Sequence, residues 1–243
     1  MQNTMDLHTH TIASGHAYST LTENLNAARE KGLRIIGISD HAPAMPGSTH
    51  EYYFSNLRVI PEYIDGIRVL KGVELNILDG EGRIDLDERT LSFLDYAIVS
   101  LHPPCFDGGN AEFNTDAILK ACEHPLVKII GHPDDSRYPL NYERLVVGAK
   151  ERGVLLEVNN SSLSPNAFRE NARENYLELL KFCKLHEVMV IINSDSHYHQ
   201  YIGEDGFAKA LLSETEFPEH LIANYTLAEE VANWLSTFEK NRR

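Results

Sequence analysis

Short apolar runs rich in β-branched residues recur along the chain, at residues 5–8, 33–39, 67–73, 96–101, 127–130, 154–158 and 188–193. They are nearly continuous rather than alternating, the pattern of parallel strands buried on both faces. Amphipathic stretches fall between most of them. The first opens on a capping box, Thr20 with Glu23, carries Leu21, Leu25 and Ala28 along one stripe, and ends at Gly32. Further helices are predicted at 115–123, 142–152, 174–186, 206–213 and 227–240. Strand followed by helix, repeated along the chain, predicts an α/β protein and a barrel. Glycine and proline are scattered without a linker-like cluster, so residues 1–243 read as a single domain.

Polar residues stand where these runs stop. His8 and His10 end the first, two apart and so on one face of the strand. Asp40-His41 closes the second run, Glu74 the third, His102 the fourth, His132 the fifth, and Asp195 with His197 the seventh. His16 lies in the loop after the first. In a parallel barrel the carboxyl ends of the strands share one mouth, so these groups converge there although they are far apart in sequence. A single histidine at a strand end is commonly a hydrogen-bonded loop residue. Histidines without a common role would also populate strand starts and helix faces, and these seven do not. The other five read as structural: His124 and His186 near helix C-termini, and His50, His199 and His220 in polar loops.

Composition narrows the possibilities. With 22 Lys plus Arg against 36 Asp plus Glu the net charge is −14, which opposes long nucleic acids and anionic membranes. No run reaches the roughly 18 apolar residues of a membrane span. The N-terminus lacks the basic start and apolar core of a secretory signal, so a cytoplasmic location is expected. Cys105, Cys122 and Cys183 are widely and irregularly spaced, and they build neither a disulfide framework nor a thiolate zinc site.

Neutral imidazole and carboxylate are the ligands zinc prefers, and they also suit iron or manganese. Seven His, one Glu and one Asp give nine side chains, and one bridging carboxylate raises the coordination positions to ten. That matches three divalent ions with about three or four protein ligands each, leaving open positions for water or substrate.

Together, Asp6-Leu7-His8-Thr9-His10, His16, Ser39-Asp40-His41, Gly72-Val73-Glu74, Leu101-His102, Gly131-His132-Pro133, Glu157-Val158-Asn159-Asn160-Ser161-Ser162 and Ser194-Asp195-Ser196-His197 resemble the PHP (polymerase and histidinol phosphatase) domain family, most closely its YcdX-like phosphatase branch. The resemblance spans nearly the whole chain. It implies a distorted (β/α)7 barrel and a trinuclear centre, usually zinc, in a phosphoesterase acting on small phosphate monoesters. It assigns His8, His10, Glu74 and Asp195 to one ion, Glu74, His102 and His132 to a second, and His16, His41 and His197 to a third. Glu74 and Asp195 then act in catalysis as metal ligands, hydroxide bridging two ions is the nucleophile, and no residue is assigned as proton donor. A homo-oligomer, a trimer by resemblance, is also implied.

Around this set, Asp6 and Asp40 are expected to accept hydrogen bonds that orient imidazoles. Asn159, Asn160, Ser161 and Ser162 end the one run that carries no ligand; Asn160 is the candidate substrate contact, with capping of a turn as the alternative. Asp134 and Asp135 depart from the family pattern. Two carboxylates near the mouth must point outward, pair with Arg137, or meet a cationic leaving group. Histidinol phosphate, nucleotides and short oligonucleotides are alternative substrates. A dinuclear amidohydrolase, which also uses His-x-His, is disfavoured by the third set of ligands, and a non-catalytic metal protein by the open coordination positions.

Overall fold

The structure, a computed structural model, describes residues 3–226, so the helix predicted at 227–240 lies outside the described residues. Its strands are β1 (Met5–Asp6), β2 (Ile35–Ile38), β3 (Tyr63–Ile64), β4 (Ile67–Lys71), β5 (Glu74–Asn76), β6 (Ala97–Ser100), β7 (Val127–Ile130), β8 (Leu155–Asn159) and β9 (Val190–Asn193). The α-helices are α1 (Leu21–Glu30), α2 (Glu51–Asn56), α3 (Glu88–Leu91), α4 (Ala111–Ala121), α5 (Tyr142–Arg152), α6 (Ala172–His186), α7 (Gly206–Glu214) and α8 (Ala223–Thr226). The capping box at Thr20 and Glu23 forms as the sequence predicts. Among the described residues, no helix is long and apolar enough to cross a membrane.

The strands lie in two sheets, ordered β1-β2-β4-β3 and β5-β6-β7-β8-β9, parallel throughout except for the antiparallel edge pair β3–β4. Single parallel bridges join the sheets at both seams, His41 with Glu74 and Thr9 with Ser196. The second seam is made by His10 N donating to Ser196 O and Ser196 N donating to His8 O. This is the distorted barrel expected, with its closure made at the level of the histidines.

The run at 67–73 holds one strand, β4, but Glu74, expected to close it, instead opens a further strand, β5, that the sequence reading did not predict. β4 stops at Lys71 and the chain steps into the second sheet as β5, because Tyr96 fills the interior at the step. A Cβ at Gly72 would lie 2.4 Å from the Tyr96 ring, and one at Gly37 2.0 Å from its hydroxyl oxygen. Met5, Leu7, Ile35, Leu70, Tyr96, Ile98, Ile129, Leu155 and Ile191 fill the barrel interior. Alternate strand residues such as Val99, Ile130, Leu156 and Ile192 pack outward in the larger core with helix residues such as Leu145, Leu179 and Leu180. Two packed layers thus make the strand ends rigid, and the histidines stand on those ends.

Candidate metal centre

Glu74, fully buried, is the hub of the site. Its Oε1 lies 2.9 Å from His132 Nε2 and 3.2 Å from His102 Nε2, and its Oε2 lies 2.8 Å from His41 Nδ1, 3.3 Å from His8 Nε2 and 3.5 Å from His10 Nε2. One carboxylate therefore faces five imidazole nitrogens. Asp195 Oδ1 stands 3.2 Å from His10 Nε2 and 3.5 Å from both His8 Nε2 and His197 Nδ1. The seven imidazoles form one continuous cluster, with ring centroids as close as 4.2 Å for His10 and His197 and 4.5 Å for His10 and His41. His16, exposed, stacks at 4.8 Å on His41 and on His197. All nine residues picked from the sequence thus meet at one mouth.

The backbone is bent to bring them there. His132 and Asp195 both have positive φ, 29° and 53°, a region L-residues enter only when the surroundings impose it. His132 N donates to Glu157 Oε2 at 2.8 Å, and Asn159 Nδ2 and Arg169 Nη2 donate to Asp195 Oδ2 at 3.1 and 3.2 Å.

Three of the buried imidazoles have the nitrogen away from the carboxylates hydrogen-bonded. His8 Nδ1 donates to Glu157 Oε1 at 2.8 Å, His102 Nδ1 to Asn76 Oδ1 at 2.8 Å, and His10 Nδ1 to Ser14 Oγ at 3.0 Å. Ser14 Oγ in turn donates to Asp40 Oδ1, so Asp40 does orient an imidazole, through one hydroxyl. Asp40 also accepts from Thr11 N, Thr11 Oγ1 and Tyr53 Oη. Asp6 corrects the expectation made for it: it accepts from Ser194 N, Ser194 Oγ and Gly203 N, tying β1 to the loop after β9 rather than turning a ring.

With Nδ1 committed, His8 and His10 point Nε2 inward. His8 Nε2, His10 Nε2, His41 Nδ1 and Glu74 Oε2 are buried with no hydrogen-bond partner among the described residues. Buried polar atoms without partners are costly, and lone pairs converging from several residues are what a cation satisfies. Four groups of donors fall within 4.8 Å of one another: His8 with His10 and Glu74, His8 with His132 and Asp195, His41 with Glu74 and His102, and His10 with His41 and His197. The residues present therefore fit divalent cations, and the imidazole–carboxylate donor set is that of zinc, manganese or iron. His16 belongs to none of the four groups and approaches from the outside.

Charge in the cluster follows from burial and pairing. Burial alone would raise the Glu74 carboxyl, but His41, His8 and His102 hold it well below the usual range, and Asp195 is held well below by His8, His10 and Arg169 against the same burial. Burial lowers His102 to about 4 and, with His197 and His41 beside it, holds His10 well below its usual value. For His8 burial is outweighed by Glu157, Glu74 and Asp195, which raise it. Low imidazole values suit metal binding, because a neutral ring offers its lone pair.

The other predicted groups divide. Asn160 Oδ1 accepts from Phe207 N and Ala208 N, capping α7, and Asn159 Oδ1 accepts from Ser162 N and Oγ, so this segment does cap turns. Asp135 pairs with Arg137, one of the outcomes expected for it. Asp134 is fully buried, 4.0 Å from Arg169 Nε, and burial raises it to about 6. His124 accepts from Leu126 N, and His199 Nδ1 lies 3.0 Å from Ser19 Oγ; both are structural, as expected.

Two residues went unassigned in the sequence. Glu157, on the strand expected to carry no metal ligand, accepts four hydrogen bonds: from His8 Nδ1, His132 N, Asn159 Nδ2 and Asn193 Nδ2. A lone acid inside an apolar run was the available signal. Arg169 donates to Asp195 and, at 2.9 Å, to Ser162 Oγ. It sits in a polar loop with nothing local to mark it.

A barrel of the α/β class whose strand ends carry a buried carboxylate ringed by imidazoles defines the kind of protein. The chain matches the PHP domain over residues 6–241 and belongs to that family. It is 46% identical over 240 residues to a protein named probable phosphatase from Caldanaerobacter subterraneus subsp. tengcongensis, covering 98% of this chain and 92% of that one. It is 44% identical over 224 residues to another of the same name from Clostridium novyi (strain NT), covering 92% and 91%. Among solved structures, its fold is similar to that of histidinol phosphate phosphatase from Lactococcus lactis subsp. lactis Il1403, complexed with zinc, L-histidinol and phosphate. The TM-score is 0.59 at 18% identity, covering 90% of this chain and 95% of that one. It is also similar in fold to a chain of the archaeal ribonuclease P structure with mature tRNA, with a TM-score of 0.58 at 16% identity and coverage of 98% and 91%.

Proposed function

We propose that this protein is a metal-dependent phosphatase of small phosphate monoesters, with three divalent ions, zinc foremost, held by His8, His10, His16, His41, Glu74, His102, His132, Asp195 and His197. The observation that carries this is Glu74: five imidazole nitrogens within 3.5 Å of one carboxylate support a role for it shared between ions rather than private to one. The grouping of His8, His10, Glu74 and Asp195 for one ion, Glu74, His102 and His132 for a second, and His16, His41 and His197 for a third agrees in part with the donor clusters, since His8, His10 and Glu74 form one of them. Its relatives' names support the reaction class, and the near-complete family match supports a single domain.

Divalent ions there would polarise a phosphoryl group, acidify water and offset the roughly two negative charges of a monoester. The chain's own residues do the rest. Glu157 fixes the His8 ring and the His132 backbone, while Asn159 and Arg169 fix the outer oxygen of Asp195. The Arg169 side chain is 7% exposed, and its pKa is raised further, above all by Asp195 and Asp134 against the effect of burial, so it stays cationic beside the centre. The amide nitrogen of Asn160 is the part of that side chain left for a substrate. The net charge of −14 argues for small substrates over RNA.

Zinc-loaded protein should release phosphate from members of a panel of phosphomonoesters, nucleotides and histidinol phosphate, and protein prepared without chelator should hold close to three ions per chain by elemental analysis. No release from any monoester overturns the reaction; a clean value of one ion overturns the trinuclear centre.

A further inference from the structure

His102 is one of the two imidazoles nearest Oε1 of Glu74, and which of its nitrogens carries the proton is fixed from outside the centre. Asn76 and Glu74 are two apart on β5 and so share one face of the strand. The Asn76 amide has acceptors on one side: its Nδ2 donates to Asp85 Oδ2 at 2.6 Å and to Ala42 O at 3.2 Å. Asp85 is itself held as an acceptor, its Oδ1 taking Asn76 N and its Oδ2 taking Ala44 N, both at 2.9 Å. The amide therefore turns Oδ1 towards His102 Nδ1, 2.8 Å away. An amide oxygen cannot donate, so Nδ1 bears the hydrogen and Nε2, 3.2 Å from Glu74 Oε1, keeps the lone pair. If the amide were reversed, its NH2 would meet Nδ1, the proton would sit on Nε2, and the lone pair would face away from the centre.

We propose that Asp85, through Asn76, selects the His102 tautomer and thereby determines which ring nitrogen is free to bind metal. Asp85 touches no ligand, so it is a positioning residue, and the inference rests on the reading of His102 as a ligand. It makes a prediction that a purely structural role does not. An aspartate at position 76 has two oxygens, so it accepts from His102 Nδ1 in either orientation and no longer needs Asp85 to orient it.

The test is zinc affinity, by competition with a chromogenic chelator, for the wild type, Asp85→Ala, Asn76→Asp and the double variant, with long-range 1H–15N histidine spectra of the same zinc-loaded proteins. Asp85→Ala should weaken zinc binding roughly 10- to 100-fold, the range for partners that orient metal-ligating histidines. The double variant should bind zinc more tightly than either single one, since Asn76→Asp alone sets two carboxylates face to face. Spectra should show Nδ1–H on His102 in the wild type and in the double variant, and a lost or mixed signature in Asp85→Ala. Equal affinity of Asp85→Ala and wild type, or a double variant no better than Asp85→Ala, overturns the proposal. If Asp85→Ala does not fold, Asp85→Asn replaces it with the same expected direction. A wild type that binds no zinc overturns the metal centre instead, a separate result.

Discussion

The inner and outer halves of the cluster are built on different principles. On the inner side His8, His10 and His102 are buried, and each has its far nitrogen locked, to Glu157, to Ser14 backed by Asp40, and to Asn76 backed by Asp85. On the outer side His16 is exposed and His197 half-buried, and His16 is placed by ring stacking at 4.8 Å on His41 and His197. His197 Nδ1 lies 3.1 Å from the Asp195 carbonyl oxygen and 3.5 Å from Asp195 Oδ1. Preorganised donors lose little on binding an ion, whereas loosely held ones must be ordered. The inner half should therefore bind tightly and support the fold. The outer half should exchange its ion and reach the substrate.

The sharpest way to break this contrast is to remove the carboxylate that two ions of the inner half would share. Glu74→Ala should cost about 1,000-fold or more in turnover and lose both of those ions, read by phosphate release and elemental analysis. Retention of both metals and turnover would show that Glu74 does not bridge them. Next comes Glu157→Ala, which strands His8 Nδ1–H and three further buried donors. Unfolding of the zinc-loaded protein in urea should show a loss of about 3 kcal/mol or more, the scale for removing one partner from a buried charged network.

On the outer side, His41→Ala should leave about two ions per chain and slow turnover roughly 100-fold, since one electrostatic contact in the transition state is lost. Full activity with two ions would make the third position structural. The mildest change is His16→Ala, at an exposed position outside the four donor groups. Urea stability should stay within about 0.5 kcal/mol of wild type, with turnover falling less than for His41→Ala. A large stability loss at His16 would contradict the division into an anchored and an open half.

How far the sequence carries can be followed residue by residue. His8, His10, His41, Glu74, His102, His132, Asp195 and His197 were legible because each sits where an apolar run stops, and a parallel barrel sends such positions to one mouth. The capping box at Thr20 and the bounds of α5 were legible because their signals are local. The step from β4 to the unpredicted β5 at Glu74 was not, because Tyr96, further along the chain, fills the space beside it. Asp6 was misread for a related reason: its neighbour His8 is a site residue, but its own partners, Ser194 and Gly203, lie 188 and 197 residues further along the chain.

What the sequence alone determined is the alternation of strands and helices, the family, and the set of groups with lone pairs to offer a metal. Periodicity and residue chemistry are properties of short segments, and they survive without knowing what packs against them. What only the tertiary structure decided is which nitrogen of each imidazole faces inward, that Glu157 and Arg169 belong to the site, and that Asp134 is buried beside Arg169 while Asp135 is taken by Arg137. Apart from the Asp135–Arg137 pair, two residues apart, those outcomes depend on contacts between residues tens to more than a hundred positions apart, and a hydrogen bond exists only where folding brings donor and acceptor within about 3 Å.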